Sequence, residues 1–241
     1  MKVMEEVKKK IEKIDYGKII TYQDLKISQD KFEATAKALS RLNKEGIIKR
    51  LSKGLYYKPE KTPFGFIKPS EKEVIKHFTE KTGKAIGYVT GNNIYNKMGL
   101  TTQLTNEVLI SCNNSRREIK INGIKIRFKN NNNKISKNDI NNLQILDAIK
   151  DIKKIPDNNI NDTILIIINK IKNLDNISRK KLYIISFKYN PSTRALVGAI
   201  LELIESSDYT IKLKKTLNKL TKYKIGINEK ILPNKKIWNI E

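Results

Sequence analysis

The sequence predicts an α+β fold. Three short helices and a β-hairpin come first, then a linker, then a mixed α/β domain that ends in helices. Three observations predict this. Apolar residues recur at three- and four-residue spacing near the N-terminus and again beyond residue 136. Between those stretches they alternate or run in short β-rich blocks. Glycines and prolines punctuate the borders. At 241 residues the chain has the length for one to two packed domains.

Val3, Val7, Ile11 and Ile14 share one side of a helix over residues 2–14, and Asp15-Tyr16-Gly17 ends it. A short extended piece at Ile19-Ile20 leads to Thr21, which with Asp24 makes a capping box for a short helix through Leu25. Asp30 opens the next helix, with Glu33 at the box position. Phe32, Thr35, Ala38, Leu39 and Leu42 form its apolar side. It runs to Glu45, and Gly46 is the expected C-terminal stop. "IIKRL" and "GLYYKP" flank Ser52-Lys53-Gly54 as a hairpin. Helix, helix, helix and hairpin is the order of a winged helix-turn-helix, here residues 1–62.

Residues 63–69 read as a linker, with Pro63, Gly65 and Pro69 and with Phe64 and Phe66 as packing residues. The C-terminal domain then spans 70–241, with an α/β part over 70–130. Ser70 and Glu73 cap a helix to about Lys81. "AIGYV" is a buried strand, and Thr90 caps a short helix that Gly99 ends. "EVLISC" is a further strand. "REIKINGIKIRFK" is two alternating strands around Asn122-Gly123, the preferred pair for a type I′ turn. "NNNNKISKND" is a polar loop. From 136 to 241 the chain is mainly helical. One helix runs from Ser136 or Asn138 to about Lys153, and others cover 162–172, 178–189, 191–205 and 211–220. Pro191 sits at a first helical position, where its missing N–H costs nothing.

Composition narrows the function. Lys and Arg number 49 against 25 Asp and Glu, a formal net charge of +24. AT-rich coding accounts for the preference for Lys over Arg but not for the shortage of acids, so the imbalance points to a polyanionic partner. No run approaches the roughly 18 apolar residues of a membrane span, and the N-terminus lacks the apolar core of a signal peptide. The expectation is a cytoplasmic protein. One cysteine, Cys112, and one histidine, His77, are too few for an intrachain disulfide or a clustered zinc site. His77 reads as a surface-helix residue and Cys112 as an inert core residue. No phosphate-binding glycine loop is present. No cofactor, metal or catalytic residue is assigned.

The helix ending at Gly46 carries the candidate site. Lys37, Ser40, Arg41 and Lys44 share the face opposite its apolar side, with Glu33 one turn earlier. Arg and Lys can donate to guanine edges, and hydroxyl and ammonium groups can donate to phosphates. Side chains near the N-terminus of such a helix reach deepest into the major groove, which implicates Glu33, Ala34 and Lys37 for bases. The hairpin adds Lys49, Arg50, Ser52 and Lys53. Tyr56 and Tyr57 alternate, so one packs on the helices and the other, taken as Tyr57, offers its hydroxyl to a phosphate. Glu118-Ile119-Lys120 has the acid-x-Lys spacing of a Mg²⁺ nuclease, with Glu107 as the second acid. The same spacing recurs at Glu6-Lys8, Asp24-Lys26 and Asp151-Lys153, which marks it as mostly chance.

"ALSRLNKEGIIKRLSKGLYYKP" resembles the winged-helix segment of AbiEi-type antitoxins of bacterial type IV toxin–antitoxin and abortive-infection systems. "YVTGNNIYNKMGLTTQLTNEVLISCNNSRREIKINGIKIRFK" and "YNPSTRALVGAILELI" are similar to later segments of that family. The resemblance implies an antitoxin and autorepressor that binds inverted repeats in its own promoter. It also implies that the protein counteracts a nucleotidyltransferase-like toxin, often without a stable complex. It transfers no antitoxic residues; Arg194 and Lys236 are exposed candidates only. The alternatives are a winged-helix regulator with a ligand- or partner-binding second domain, and the nuclease.

Overall fold

The computed structural model describes residues 3–114, 116–205 and 208–241. Lys2, the expected first residue of the N-terminal helix, lies outside them. The chain divides into two compact units, Met1–Glu80 with Ile119–Lys125, and Lys81–Glu118 with Ile126–Glu241. Both mix helix and strand, as an α+β chain should.

In the first unit, α1 (Val3–Glu12) buries Val7 and Ile11 completely. Lys58 Nζ donates to the carbonyls of Glu12 and Ile14, both at 2.9 Å, and so ties off the end of α1. β1 is Ile19–Ile20. The capping box forms: Thr21 N donates to Asp24 Oδ2 at 2.8 Å, and Asp24 N donates to Thr21 Oγ1 at 3.4 Å. The helix it caps is a single 3₁₀ turn, Gln23–Leu25. A second 3₁₀ turn, Gln29–Lys31, precedes α2 (Phe32–Lys44). The box expected at Asp30 does not form, because Asp30 accepts from the Ser28 hydroxyl instead and Glu33 has no side-chain bond to it.

α2 buries Thr35, Ala38, Leu39 and Leu42 against Val7, Ile11, Ile20, Leu25 and Ile48. Phe32 falls outside this core. It is 54% exposed and stacks edge-on with Tyr22 at 4.7 Å. The helix ends as its sequence foretells. Gly46 adopts φ +78°, its N–H donates to Asn43 O, and Ile47 N donates to Leu42 O, which is a Schellman closure. β2 (Lys49–Ser52) and β3 (Leu55–Tyr57) turn at Lys53-Gly54, where Gly54 has φ +76°. β1 joins the other edge of β3, giving the order β1-β3-β2 with Ile19 opposite Tyr57.

The stretch expected as a linker is structured. β4 (Glu60–Thr62) and β5 (Gly65–Ile67) form an antiparallel hairpin, closed by Thr62 Oγ1 donating to Gly65 O at 2.9 Å. Strands of three residues are too short to show alternation in sequence, so the prolines and glycine are the stronger local signal. The first unit therefore extends past residue 62, to Glu80. It includes α3 (Glu71–Thr79), capped by Ser70 Oγ and buried through Val74 and Phe78. Glu73 does not return the cap bond; its carboxylate pairs with Lys18 at 3.0 Å. α3 ends before Lys81, where β6 (Glu80–Lys81) and β7 (Lys84–Ala85) form a tight hairpin.

In the second unit, β8 (Gly87–Thr90) leads into α4 (Asn92–Lys97), and β9 (Glu107–Cys112) returns antiparallel with Gly87 opposite Cys112. Gly91 and not Thr90 precedes α4, because the Thr90 hydroxyl is used elsewhere. β10 (Ile119–Ile121), which belongs to the first unit, and β11 (Ile124–Asn130), which lies in the second from Ile126 on, flank Asn122-Gly123, both at positive φ, as a type I′ turn requires. Within the second unit the strand order is β11-β9-β8.

The helical part comprises α5 (Ile140–Lys150), α6 (Ile160–Lys172), α7 (Asn176–Ser186), α8 (Pro191–Ile204) and α9 (Asp208–Lys214). Asn190 caps α8, with Pro191 in its first turn as expected. α9 is shorter than the 211–220 reading. The Thr216 N–H and hydroxyl both reach back to Leu213 O and stop the helix there. The core gathers Leu146, Ile164, Leu182, Leu196 and Ile200 around Trp238, which is 1% exposed. Trp238 lies so close to α8 that a Cβ on Gly198 would run into its ring. Among the described residues no helix is long and apolar enough to cross a membrane.

Candidate nucleic-acid interface

The α2 face emerges intact. Glu33, Lys37, Ser40, Arg41 and Lys44 are all exposed, while Thr35, Ala38, Leu39 and Leu42 point inward. The helical period alone separates the two sets. The hairpin is locked to the last turn of α2 by Arg50 N donating to Asn43 Oδ1 at 2.9 Å. Arg50 and Lys53 are exposed; Arg50 Nε donates back to Ser52 O at 3.3 Å.

Residues 31–58 hold 8 basic and 2 acidic side chains. Among the described residues, Lys37, Arg41, Lys44 and Lys53 make no ion pair and no side-chain hydrogen bond. A surface cation with no internal partner is free to neutralise an external anion.

Three predicted contacts change. Tyr57 is 5% exposed, and burial raises its hydroxyl above the ordinary phenol range, so it packs and offers nothing to a phosphate. Tyr56, the other ring of the pair, is half-buried and rests against the helical core. The Ser52 hydroxyl is buried without a partner, which removes it from the surface set. Lys49 is half-buried, with its ammonium 4.7 Å from the centroid of Phe66. A cation over a ring is stabilised by the ring quadrupole but keeps its charge.

The other candidates resolve differently. Glu107 pairs with Arg127 at 2.9 Å, and the described residues hold no group of three or more His, Cys, Asp or Glu placed to bind a metal ion. His77 is half-buried, edge-on to Phe78 at 4.9 Å. Cys112 is buried, its thiol donating to Asn114 O. Arg194 is not an exposed residue: it donates to Tyr189 O and Thr216 O, both at 3.2 Å, and holds α8 to the chain after α9. Lys236 is exposed and pairs with Glu229 at 3.0 Å.

Sequence reading missed a polar cluster inside the second unit. Asp147, 3% exposed on α5, accepts hydrogen bonds from Tyr88 (3.0 Å), Thr90 (2.8 Å) and Tyr189 (3.2 Å). Lys129 stands 3.5 Å from Asp147 and 3.8 Å from Asp151, and Tyr95 donates to Asp151 at 2.9 Å. Burial, then the adjacent carboxylates, drive all three phenols far above their usual range, so they remain donors. Asn131 and Asn133, from the supposed polar loop, are buried too; Asn131 Nδ2 donates to Tyr88 Oη at 2.8 Å. A cleft of about 470 Å³ opens beside Tyr95, Lys129 and Asp151. The available signal was an acid inside the apolar run "LQILDAI".

Taken together, these features define an α+β protein with an exposed basic helix-and-hairpin surface on one unit and a buried polar cluster around Asp147 in the other. The chain belongs to DUF6088, described as a family of unknown function, whose match spans residues 6–182. No curated protein matches it in sequence. Among solved structures it is similar to the RV2827C protein from Mycobacterium tuberculosis, at 10% identity and a TM-score of 0.47, over 90% of this chain and 82% of that one.

Proposed function

We propose that the N-terminal unit is a winged helix-turn-helix and that it binds double-stranded DNA, with α2 in the major groove and the β2–β3 hairpin as the wing. The observation that carries this is the set of unpartnered cations: Lys37, Arg41 and Lys44 on one helix face, and Lys53 at the tip of a hairpin fastened to that helix. The sheet order β1-β3-β2 behind α1 and α2 supports the same reading. Glu33 and Lys37, nearest the N-terminus of α2, face bases; Arg41, Lys44, Arg50 and Lys53 face phosphates.

The sequence resemblance extends this to biology. The protein is a cytoplasmic antitoxin and autorepressor of a type IV toxin–antitoxin operon. It binds inverted repeats in its own promoter and opposes a nucleotidyltransferase-like toxin. Its work is binding, not catalysis. Two measurements test the two halves. Gel-shift titration with the DNA upstream of the gene should give a complex whose affinity falls steeply with salt, since each phosphate contact releases counterions. Co-expression should restore growth to cells producing the neighbouring gene product. An absent shift removes the DNA reading, and failure to rescue removes the antitoxin reading.

A further inference from the structure

The hairpin of β4 and β5 is unexplained by the proposal above. Its tip is Pro63-Phe64, and Phe64 is 100% exposed. Phe66 and Ile67 on β5 are 45% and 49% exposed. A two-stranded hairpin with no core of its own is marginal in water. Large apolar side chains on such a tip gain only when something covers them.

Charge indicates what covers them. Lys61 and Lys68 flank the tip, both exposed and, among the described residues, without an ion pair or side-chain hydrogen bond. Glu60 is the only acid between Lys58 and Lys68. The hairpin also continues directly from the wing. β3 ends at Tyr57, β4 begins at Glu60, and Lys49 of β2 lies over the Phe66 ring. The Lys49 charge therefore belongs to both hairpins. A basic β-ribbon with an apolar tip matches the chemistry of a duplex: lysines for the two phosphate ridges, and an aromatic ring for the sugars and base edges between them.

We propose that the 60–67 hairpin is a second DNA-contacting element, and that Phe64 enters the minor groove as a wedge that partly unstacks one base step and bends the duplex. This rests on the DNA-binding reading of α2 and the wing. It adds a contact that α2 does not supply and a deformation that α2 alone would not cause. Sequence preference from it would come from flexible pyrimidine–purine steps, which kink most easily.

The experiment uses the full chain and duplexes that tile the region upstream of its gene, labelled at both ends for energy transfer, with 2-aminopurine at successive steps. The wild type should bind one duplex, bring its ends together and raise 2-aminopurine emission at one step. Phe64→Ala should bind about tenfold more weakly, at the lower end for loss of an aromatic–base contact, and lose both the bend and the emission rise. Phe64→Trp should keep them. Lys61→Ala with Lys68→Ala should lower the slope of log affinity against log salt by about 2. Because Phe64 touches no core, Phe64→Ala should melt with the wild type, which keeps the readout specific.

Wild-type affinity and bending in Phe64→Ala, alongside lost binding in Lys37→Ala with Arg41→Ala, would overturn the wedge and leave the α2 reading standing. Binding of no duplex by the wild type would overturn both. If Phe64→Ala keeps DNA affinity and bend but no longer rescues growth against the neighbouring toxin, the hairpin docks protein, and the proposal is equally overturned.

Discussion

The α2 face and the Asp147 cluster are both built from charged and hydroxyl-bearing side chains, and the fold treats them in opposite ways. On α2, Lys37, Arg41 and Lys44 are exposed and, among the described residues, have no ion-pair or hydrogen-bond partner. Around Asp147, the carboxylate is 3% exposed and accepts from three hydroxyls, with Lys129 beside it. A charge left open at the surface costs little to keep and is available to another molecule. A charge taken out of water must be saturated by the fold itself, so its energy goes into holding elements together. Asp147 joins α5 to β8 through Tyr88 and Thr90, and to the segment before α8 through Tyr189. The difference teaches that partner state separates a face left open to other molecules from an internal clamp.

That contrast can be broken by mutation. The largest effect falls at the centre of the second unit. Trp238→Ala removes a ring that packs on Gly198 and donates to Glu202 at 2.7 Å. It should cost about 4 kcal/mol of stability in urea unfolding. Asp147→Ala comes next. It strands three buried hydroxyls, and about 3 kcal/mol should be lost, measured in the same titration. DNA affinity should be untouched wherever the variant remains folded. A loss of DNA binding under folding conditions would mean that the clamp and the surface are not separate in kind.

The surface substitutions should show the converse. Lys37→Ala with Arg41→Ala should leave urea unfolding unchanged and weaken binding to the upstream DNA by at least about tenfold, or ~1.4 kcal/mol. Fluorescence anisotropy at fixed salt measures this. A fall in stability instead would show that the face supports the fold. The smallest effect tests the seam between the two roles. Gly46→Ala forces a side chain into φ +78° at the α2 stop. It should cost about 1 kcal/mol of stability, with DNA affinity weakened only as far as the β2–β3 hairpin shifts relative to α2.

Legibility followed the same division. The N-terminal elements could be read because local chemistry decides them: the Thr21–Asp24 box, the Gly46 stop and the Asn122-Gly123 turn each complete their bonds within a few residues. The α2 face could be read because helical period sorts inside from outside. Errors arose where a distant partner outbid the local one. Thr90 caps nothing because Asp147, on another element, takes its hydroxyl. Glu73 leaves its capping box for Lys18. Tyr57 lies buried where alternation allowed either face. The 60–67 hairpin was hidden because strands of three residues carry no period.

The sequence by itself therefore determined the mixed helix and strand composition, the order of elements in the first 57 residues, the excess of positive charge and the basic face of α2, since each depends on spacing or count. Tertiary structure alone decided which polar groups are internal. It gathered Tyr88, Thr90, Tyr95, Lys129, Asp147 and Tyr189 into one network across more than a hundred residues of chain. It also withdrew Tyr57 and the Ser52 hydroxyl from the candidate interface and left Phe64 fully exposed. The physical reason is that burial is a property of assembled neighbours. A polar side chain carries the same donors and acceptors wherever it stands, and only the packed fold determines whether water or protein satisfies them.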